Sequence, residues 1–73
     1  MNTPMKRGAL IGCGFFAENH LHAWSGMQDA EIIALCDIDE TRLEATAIRF
    51  GIEKRYRCAQ EMMADESLDF VDI

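Results

Sequence analysis

Apolar positions follow two rhythms along this chain. Ala9-Leu10-Ile11 and Ile32-Ile33-Ala34-Leu35-Cys36 are short continuous apolar runs, the pattern of parallel strands covered on both faces. Elsewhere the period lengthens. Ala17, Leu21 and Trp24 recur at i, i+4 and i+7, and Leu43, Ala47 and Phe50 repeat that stripe, which sets each trio on one face of a helix. These rhythms predict a strand over 7–11, a helix over 15–26, a strand over 31–36 and a second helix after Asp39. Asp39 offers a carboxylate N-cap, Glu40 adds negative charge to the first turn, and Gly51 stands where a C′ residue of positive φ belongs. A short strand over 55–58, a brief helix over 59–64 and a fourth strand over 68–73 complete the series. Trp24 is expected in the core, Met62-Met63 at its edge, and Ile11, Ile33, Leu35 and Val71 at the centre of the sheet.

The order β-α-β-α-β-α-β, with right-handed crossovers, builds a parallel sheet of order 3-2-1-4, an α/β Rossmann-type dinucleotide-binding fold. A complete doubly wound domain continues beyond its fourth strand, and Phe70, Val71 and Ile73 would otherwise form an apolar edge. Residues 1–73 therefore read as the N-terminal part of an NAD(P)-binding Rossmann domain, truncated at or after strand four. With 73 residues the chain is small for a domain, and folds of this size bury only about 60% of the surface their unfolded chains expose.

The turn after the first strand is where chemistry enters. Gly12-Cys13-Gly14-Phe15-Phe16-Ala17 has the G-x-G-x-x-[GA] spacing of a phosphate-cradling turn. Gly12 allows the tight turn, Gly14 lets backbone approach a pyrophosphate, and Ala17 lets the helix pack closely on the strand. The N–H groups of Phe15 and Phe16 would join the cradle at the positive end of the helix. The next strand ends on Asp37, close to the roughly 20 residues downstream expected of a carboxylate that reaches the adenosine ribose. Strand, glycine turn, helix, strand and acid together point to a dinucleotide site. A 2′-phosphate carries about −1.5 to −2 charges. A pair of unit charges 4 Å apart interacts by about 4 kcal/mol gross at an effective dielectric of 20, and repulsion of that order from Asp37 favours NAD over NADP. Arg42, on the second helix, would face the same pocket mouth and could pair with a phosphate or stack on adenine.

Charge narrows the partners further. Seven Lys and Arg against thirteen Asp and Glu give a net charge of −6, with the cations scattered, which argues against nucleic acid or an anionic membrane as partner. No apolar run approaches the roughly 20 residues of a membrane span, and no signal-peptide apolar region precedes the first strand, so the chain is expected to be cytoplasmic. Cys13, Cys36 and Cys58 include no C-x-x-C pair and suggest neither a disulfide framework nor a metal site. They read as reduced, small apolar residues. Cys13 is the one to watch, since a helix N-terminus lowers a thiol pKa unless the side chain turns into the core. Glu18, Glu40, Glu44, Glu61, Asp65 and Glu66 read as solvated carboxylates.

The glycine turn from Ile11 to Ala17, then His20-Leu21, Cys36-Asp37, Arg42, Phe50-Gly51 and Leu68-Asp69-Phe70-Val71-Asp72-Ile73 resemble the opening of the glucose–fructose oxidoreductase, inositol dehydrogenase and rhizopine-catabolism (Gfo/Idh/MocA) family. The similarity covers essentially the whole chain. It implies an NAD- or NADP-dependent oxidoreductase of sugars, polyols or related alcohols, with a C-terminal α+β substrate domain through which such proteins often assemble as homo-oligomers. The family's catalytic parts, a Glu-Lys-Pro segment and a later Asp and His, are not in these residues, so no catalytic residue is expected here. His20 falls where the family often has histidine and reads as a helix residue that packs or bonds locally. Some relatives have lost catalysis and act as dinucleotide-sensing or regulatory modules, and these residues would look the same in them. A methyltransferase-type Rossmann fold is disfavoured by the G-x-G-x-x-A spacing.

Overall fold

A computed structural model describes residues 5–14 and 17–73. Four strands, β1 (Lys6–Ile11), β2 (Ala30–Cys36), β3 (Lys54–Tyr56) and β4 (Phe70–Asp72), alternate with three helices, α1 (Ala17–Ser25), α2 (Glu40–Phe50) and α3 (Ala59–Asp65). All strand pairs are parallel and the order is β3-β2-β1-β4. That is the 3-2-1-4 arrangement expected from the crossovers.

The helices divide between the two faces of the sheet. Against α1 and α2, Leu10, Ile32 and Leu35 pack with Cys13, Ala17, Leu21, Leu43 and Ala47. On the other face Met62 of α3, fully buried, sits on Ala9, Ala34 and Cys36, small residues that let the helix come close. The β1–β2 register slips between Gly8 and Ala9, so Gly8 pairs with Ile32 while Ala9 pairs with Ala34. This bulge leaves Ile33 without a partner and breaks the strict alternation of faces. Ile33 and Ala34 both join the α3 side, and Leu35 returns to the side of Ile32. The sheet core is therefore not the set expected. Leu35 is fully buried, whereas Ile11, Ile33 and Val71 are half-buried, the last because β4 pairs with β1 alone among the described strands.

Local chemistry sets the helix ends. The Asp39 carboxylate accepts the Arg42 N–H at 3.2 Å, as an N-cap should. At the other end Gly51 adopts φ 68°, its N–H reaches Ile48 O, and Ile52 N–H reaches Ala47 O. These two bonds form a Schellman motif and satisfy two carbonyls the helix leaves open. α3 starts at Ala59, where the sequence places it, while the strand before it ends two residues sooner than expected. Cys58 is its N-cap, with its carbonyl accepting Met62 N–H, so β3 is confined to Lys54–Tyr56. β4 is likewise shorter than expected. Asp69 precedes it and staples it to β1, accepting Arg7 N–H at 2.8 Å on its side chain and donating its own N–H to Arg7 O.

Candidate functional site

The site is built at the carboxyl ends of the strands, where β1 is flanked by β2 on one side and β4 on the other. Chain order reverses direction across the sheet at that point, and a crevice opens there in doubly wound folds. β1 hands over to the turn at Gly12, whose φ of 94° is open only to glycine at low cost. Gly12 N–H still reaches Cys36 O at 2.7 Å, so the turn begins while tied to β2. Gly14 O then accepts Ala17 N–H at 3.0 Å and opens α1. Among the described residues, a Cβ placed on Gly14 would meet only the Arg42 guanidinium, 3.8 Å away. The turn thus offers backbone without side chain on the side that Arg42 overhangs. Phe15 and Phe16, expected to add two N–H donors, lie outside the described residues.

Asp37 closes the turn from the neighbouring strand. Its side chain is buried, with 9% of the residue exposed, and one carboxylate oxygen accepts Cys13 N–H at 2.7 Å while the other accepts Asp39 N–H at 2.8 Å. It is not a solvated strand-end acid. The carboxylate clamps the glycine turn to the start of α2, with charge-assisted bonds that are roughly twice as strong as neutral ones. Each carboxylate oxygen has about two acceptor sites, so both retain capacity for a hydroxyl donor. Arg42 leans from the first turn of α2 with its Nε 3.6 Å from Asp39 Oδ2, and completes the rim. Ile38, next to Asp37, is 82% exposed. A large aliphatic side chain standing in water beside the clamp is a feature the sequence reading missed; its place directly after the strand-end acid was the available signal.

A cleft of about 320 Å³ opens beside the turn, between Gly12, Gly14 and Ala17 on one side and His20 and Ile73 on the other. His20 does not bond locally. Its Nδ1 lies 3.0 Å from Asp72 Oδ2 on β4, and the same oxygen accepts Trp24 Nε1–H at 2.8 Å. Those two bonds hold the Asp72 carboxyl below the ordinary aspartate range. Trp24 is accordingly half-buried rather than core, with its ring against Phe70 at 4.6 Å between centroids. Another cavity of about 320 Å³ opens between the C-terminal ends of α1 and α2, lined by Met5, Trp24, Met27 and Ile52, and holds none of the turn's donors.

The cysteines divide by burial. Cys13 is buried, and its thiol is pushed up to about 11, first by burial and then by the Asp37 carboxylate. Burial therefore outweighs the helix N-terminus, and Cys13 is a core residue. Burial raises the Cys36 thiol as well, whereas Cys58 is exposed rather than packed. Glu66 is also not solvated: its side chain is 6% exposed, beside Lys54 and Arg7 and bonded to the Tyr56 hydroxyl, which raises that phenol to about 12. Met62 is deep core and Met63 exposed. Among the described residues no group of three His, Cys, Asp or Glu could hold a metal, and no helix is long and apolar enough to cross a membrane.

Comparison with known proteins agrees with this geometry. Residues 6–73 match the Gfo/Idh/MocA family model, described as an oxidoreductase family with an NAD-binding Rossmann fold. D-apiose dehydrogenase of Paraburkholderia graminis is 60% identical over 73 residues, covering 97% of this chain and 20% of that protein. The crystal structure of an oxidoreductase from Agrobacterium radiobacter, in complex with NAD+, L-tartaric acid and magnesium, superposes with a TM-score of 0.90 at 53% identity, over 93% of this chain and 20% of that one. The WlbA dehydrogenase from Chromobacterium violaceum, in complex with NADH and UDP-GlcNAcA, gives 0.85 at 35% identity, over 97% of this chain and 21% of that one. The chain spans about one fifth of the length of these relatives. With the fold, the turn and the family model in agreement over 6–73, the chain belongs to the Gfo/Idh/MocA oxidoreductase family.

Proposed function

We propose that residues 1–73 are the cofactor-holding N-terminal part of a longer NAD-dependent oxidoreductase that acts on a sugar, a polyol or a related alcohol. The clamp of Asp37 on the glycine turn carries this reading. The residues fit the dinucleotide: Gly14 presents bare backbone, and each Asp37 oxygen, with one bond made, keeps acceptor capacity for a ribose hydroxyl. Gly12, Gly14 and the N–H groups of Phe15 and Phe16 would hold the pyrophosphate, with Ala17 keeping α1 close. Asp37 would hold the adenosine ribose, and Ile38 and Arg42 would flank the adenine. When bound, the nicotinamide would supply hydride-transfer chemistry. This chain's residues bind and orient the cofactor, and catalytic groups belong to the rest of the protein. A relative named for D-apiose and a structural neighbour in complex with UDP-GlcNAcA support the carbohydrate class.

NAD is the preferred form, since Asp37 is buried beside the ribose position and repels a 2′-phosphate, although Arg42 leaves NADP as a weaker ligand. We place the protein in the cytoplasm as a homo-oligomer assembled through the remaining domain, with Cys13 and Cys36 as buried thiols. A non-catalytic dinucleotide-binding module would use the same site. Fluorescence titration of the full-length protein with NADH and NADPH, together with turnover of NAD+ on a panel of aldoses and polyols, tests the reading. Tighter NADH and sugar-dependent reduction of NAD+ are expected. Tighter NADPH would contradict the role of Asp37, and NADH binding without turnover on any alcohol would favour the non-catalytic module.

A further inference from the structure

Asp72, His20 and Trp24 form a polar cluster that the proposed site does not use. Asp72 stands in β4, His20 and Trp24 one turn apart in α1, and both rings converge on a single carboxylate oxygen. A bond to Trp24 alone would suffice to dock α1 on β4. The imidazole adds something different, because its ring borders the cleft together with Gly12, Gly14 and Ile73, and 42% of the side chain is exposed. A carboxylate only accepts hydrogen bonds, so Nδ1 is the donor toward Asp72. This fixes the tautomer: the neutral ring presents Nε2 as an acceptor, and the protonated ring presents Nε2–H as a cationic donor.

We propose that His20, oriented by Asp72, is a further cofactor-binding residue whose imidazolium hydrogen-bonds the nicotinamide-side phosphate of the dinucleotide in the cleft between Gly14 and Ile73. The inference rests on the dinucleotide reading of the glycine turn. Position supports it: α1 and β4 flank that half of the crevice, opposite the Asp37 and Arg42 side that would take adenosine. Charge supports it too. Asp72 holds its proton below the ordinary range and stays anionic around neutrality. Glu18, on α1 as well, is engaged by Arg49 of α2 and by His22. Arg42 reaches over Gly14 from α2 and does not titrate. A histidine is the side chain that changes charge between pH 5 and 8, so affinity for the anionic pyrophosphate should rise as pH falls through that range.

The test is calorimetric titration of the full-length protein with NAD+, ADP and AMP between pH 6 and 8. The variants are His20→Asn, which keeps a donor near the Nδ1 position and removes the second nitrogen, and His22→Ala as control. The unsubstituted protein should bind NAD+ and ADP several-fold more tightly at pH 6 than at pH 8. His20→Asn should lose roughly tenfold of that affinity at pH 6 and become flat with pH. AMP, which lacks the second phosphate, should bind both proteins alike, and His22→Ala should keep the original profile. Unchanged NAD+ affinity and pH profile in His20→Asn would overturn the inference alone, and so would an equal loss for NAD+ and AMP, which marks a structural role. Absence of both NAD+ and AMP binding in the unsubstituted protein would instead overturn the dinucleotide reading, and this inference with it.

Discussion

Asp37 has two tasks that one substitution separates. Its two backbone bonds hold the glycine turn against α2, and on the proposed reading its charge would set cofactor preference. Asp37→Ser should narrow or invert the preference for NAD over NADP, and it should also weaken both cofactors, because Cys13 N–H loses its acceptor. Loss of a buried charge-assisted bond costs about 1.5–3 kcal/mol, enough to loosen the turn without unfolding the sheet. Fluorescence titration with both cofactors checks this; an unchanged affinity ratio would remove Asp37 from the ribose site. The thiols give a second check. Since burial and Asp37 push the Cys13 thiol up to about 11 while Cys58 is exposed, iodoacetamide at pH 7.5 should label Cys58 first and leave Cys13 and Cys36 protected. Rapid labelling of Cys13, read by peptide mass spectrometry, would show that the turn opens to solvent.

Gly8 shows how an element is shaped by a partner distant in sequence. A Cβ there would lie 2.1 Å from the Phe70 ring, which is itself held between β1 and Trp24. Gly8→Ala should overpack this contact and cost about 1–3 kcal/mol, measured by urea unfolding; a neutral result would mean that Phe70 swings away freely. The same contrast explains what the sequence could tell. The α2 ends were legible because Asp39 and Gly51 act within four residues of themselves. The strand order was legible because crossover handedness leaves few choices. The bulge at Ile33, the burial of Glu66 and the bond from His20 to Asp72 were not, since each is decided by a partner on another element. The glycine turn and Asp37 were readable as a motif. That Asp37 grips the turn itself was not, because the Cys13–Asp37 bond forms only once β1 and β2 lie side by side.

Across the molecule, α1 and α2 cover one face, α3 the other, and the crevice between them is framed by β1, β2 and β4. On the proposed reading, adenosine would lie on the Asp37 side, the nicotinamide half on the β4 side and the pyrophosphate on Gly14. The proposed reading makes Gly14 a binding residue rather than a folding one, and a substitution there tests that claim directly. Its φ is not in the positive range, which Gly12 and Gly51 alone occupy among the described glycines, and a Cβ there meets no atom of the described residues closer than the Arg42 guanidinium at 3.8 Å. Gly14→Val in the full-length protein should thus fold normally while its methyl groups occupy the space of the pyrophosphate. Circular dichroism and thermal unfolding close to those of the unsubstituted protein, with no detectable NAD+ binding by calorimetry, is the expected result; a folded Gly14→Val protein with unchanged NAD+ affinity would contradict it.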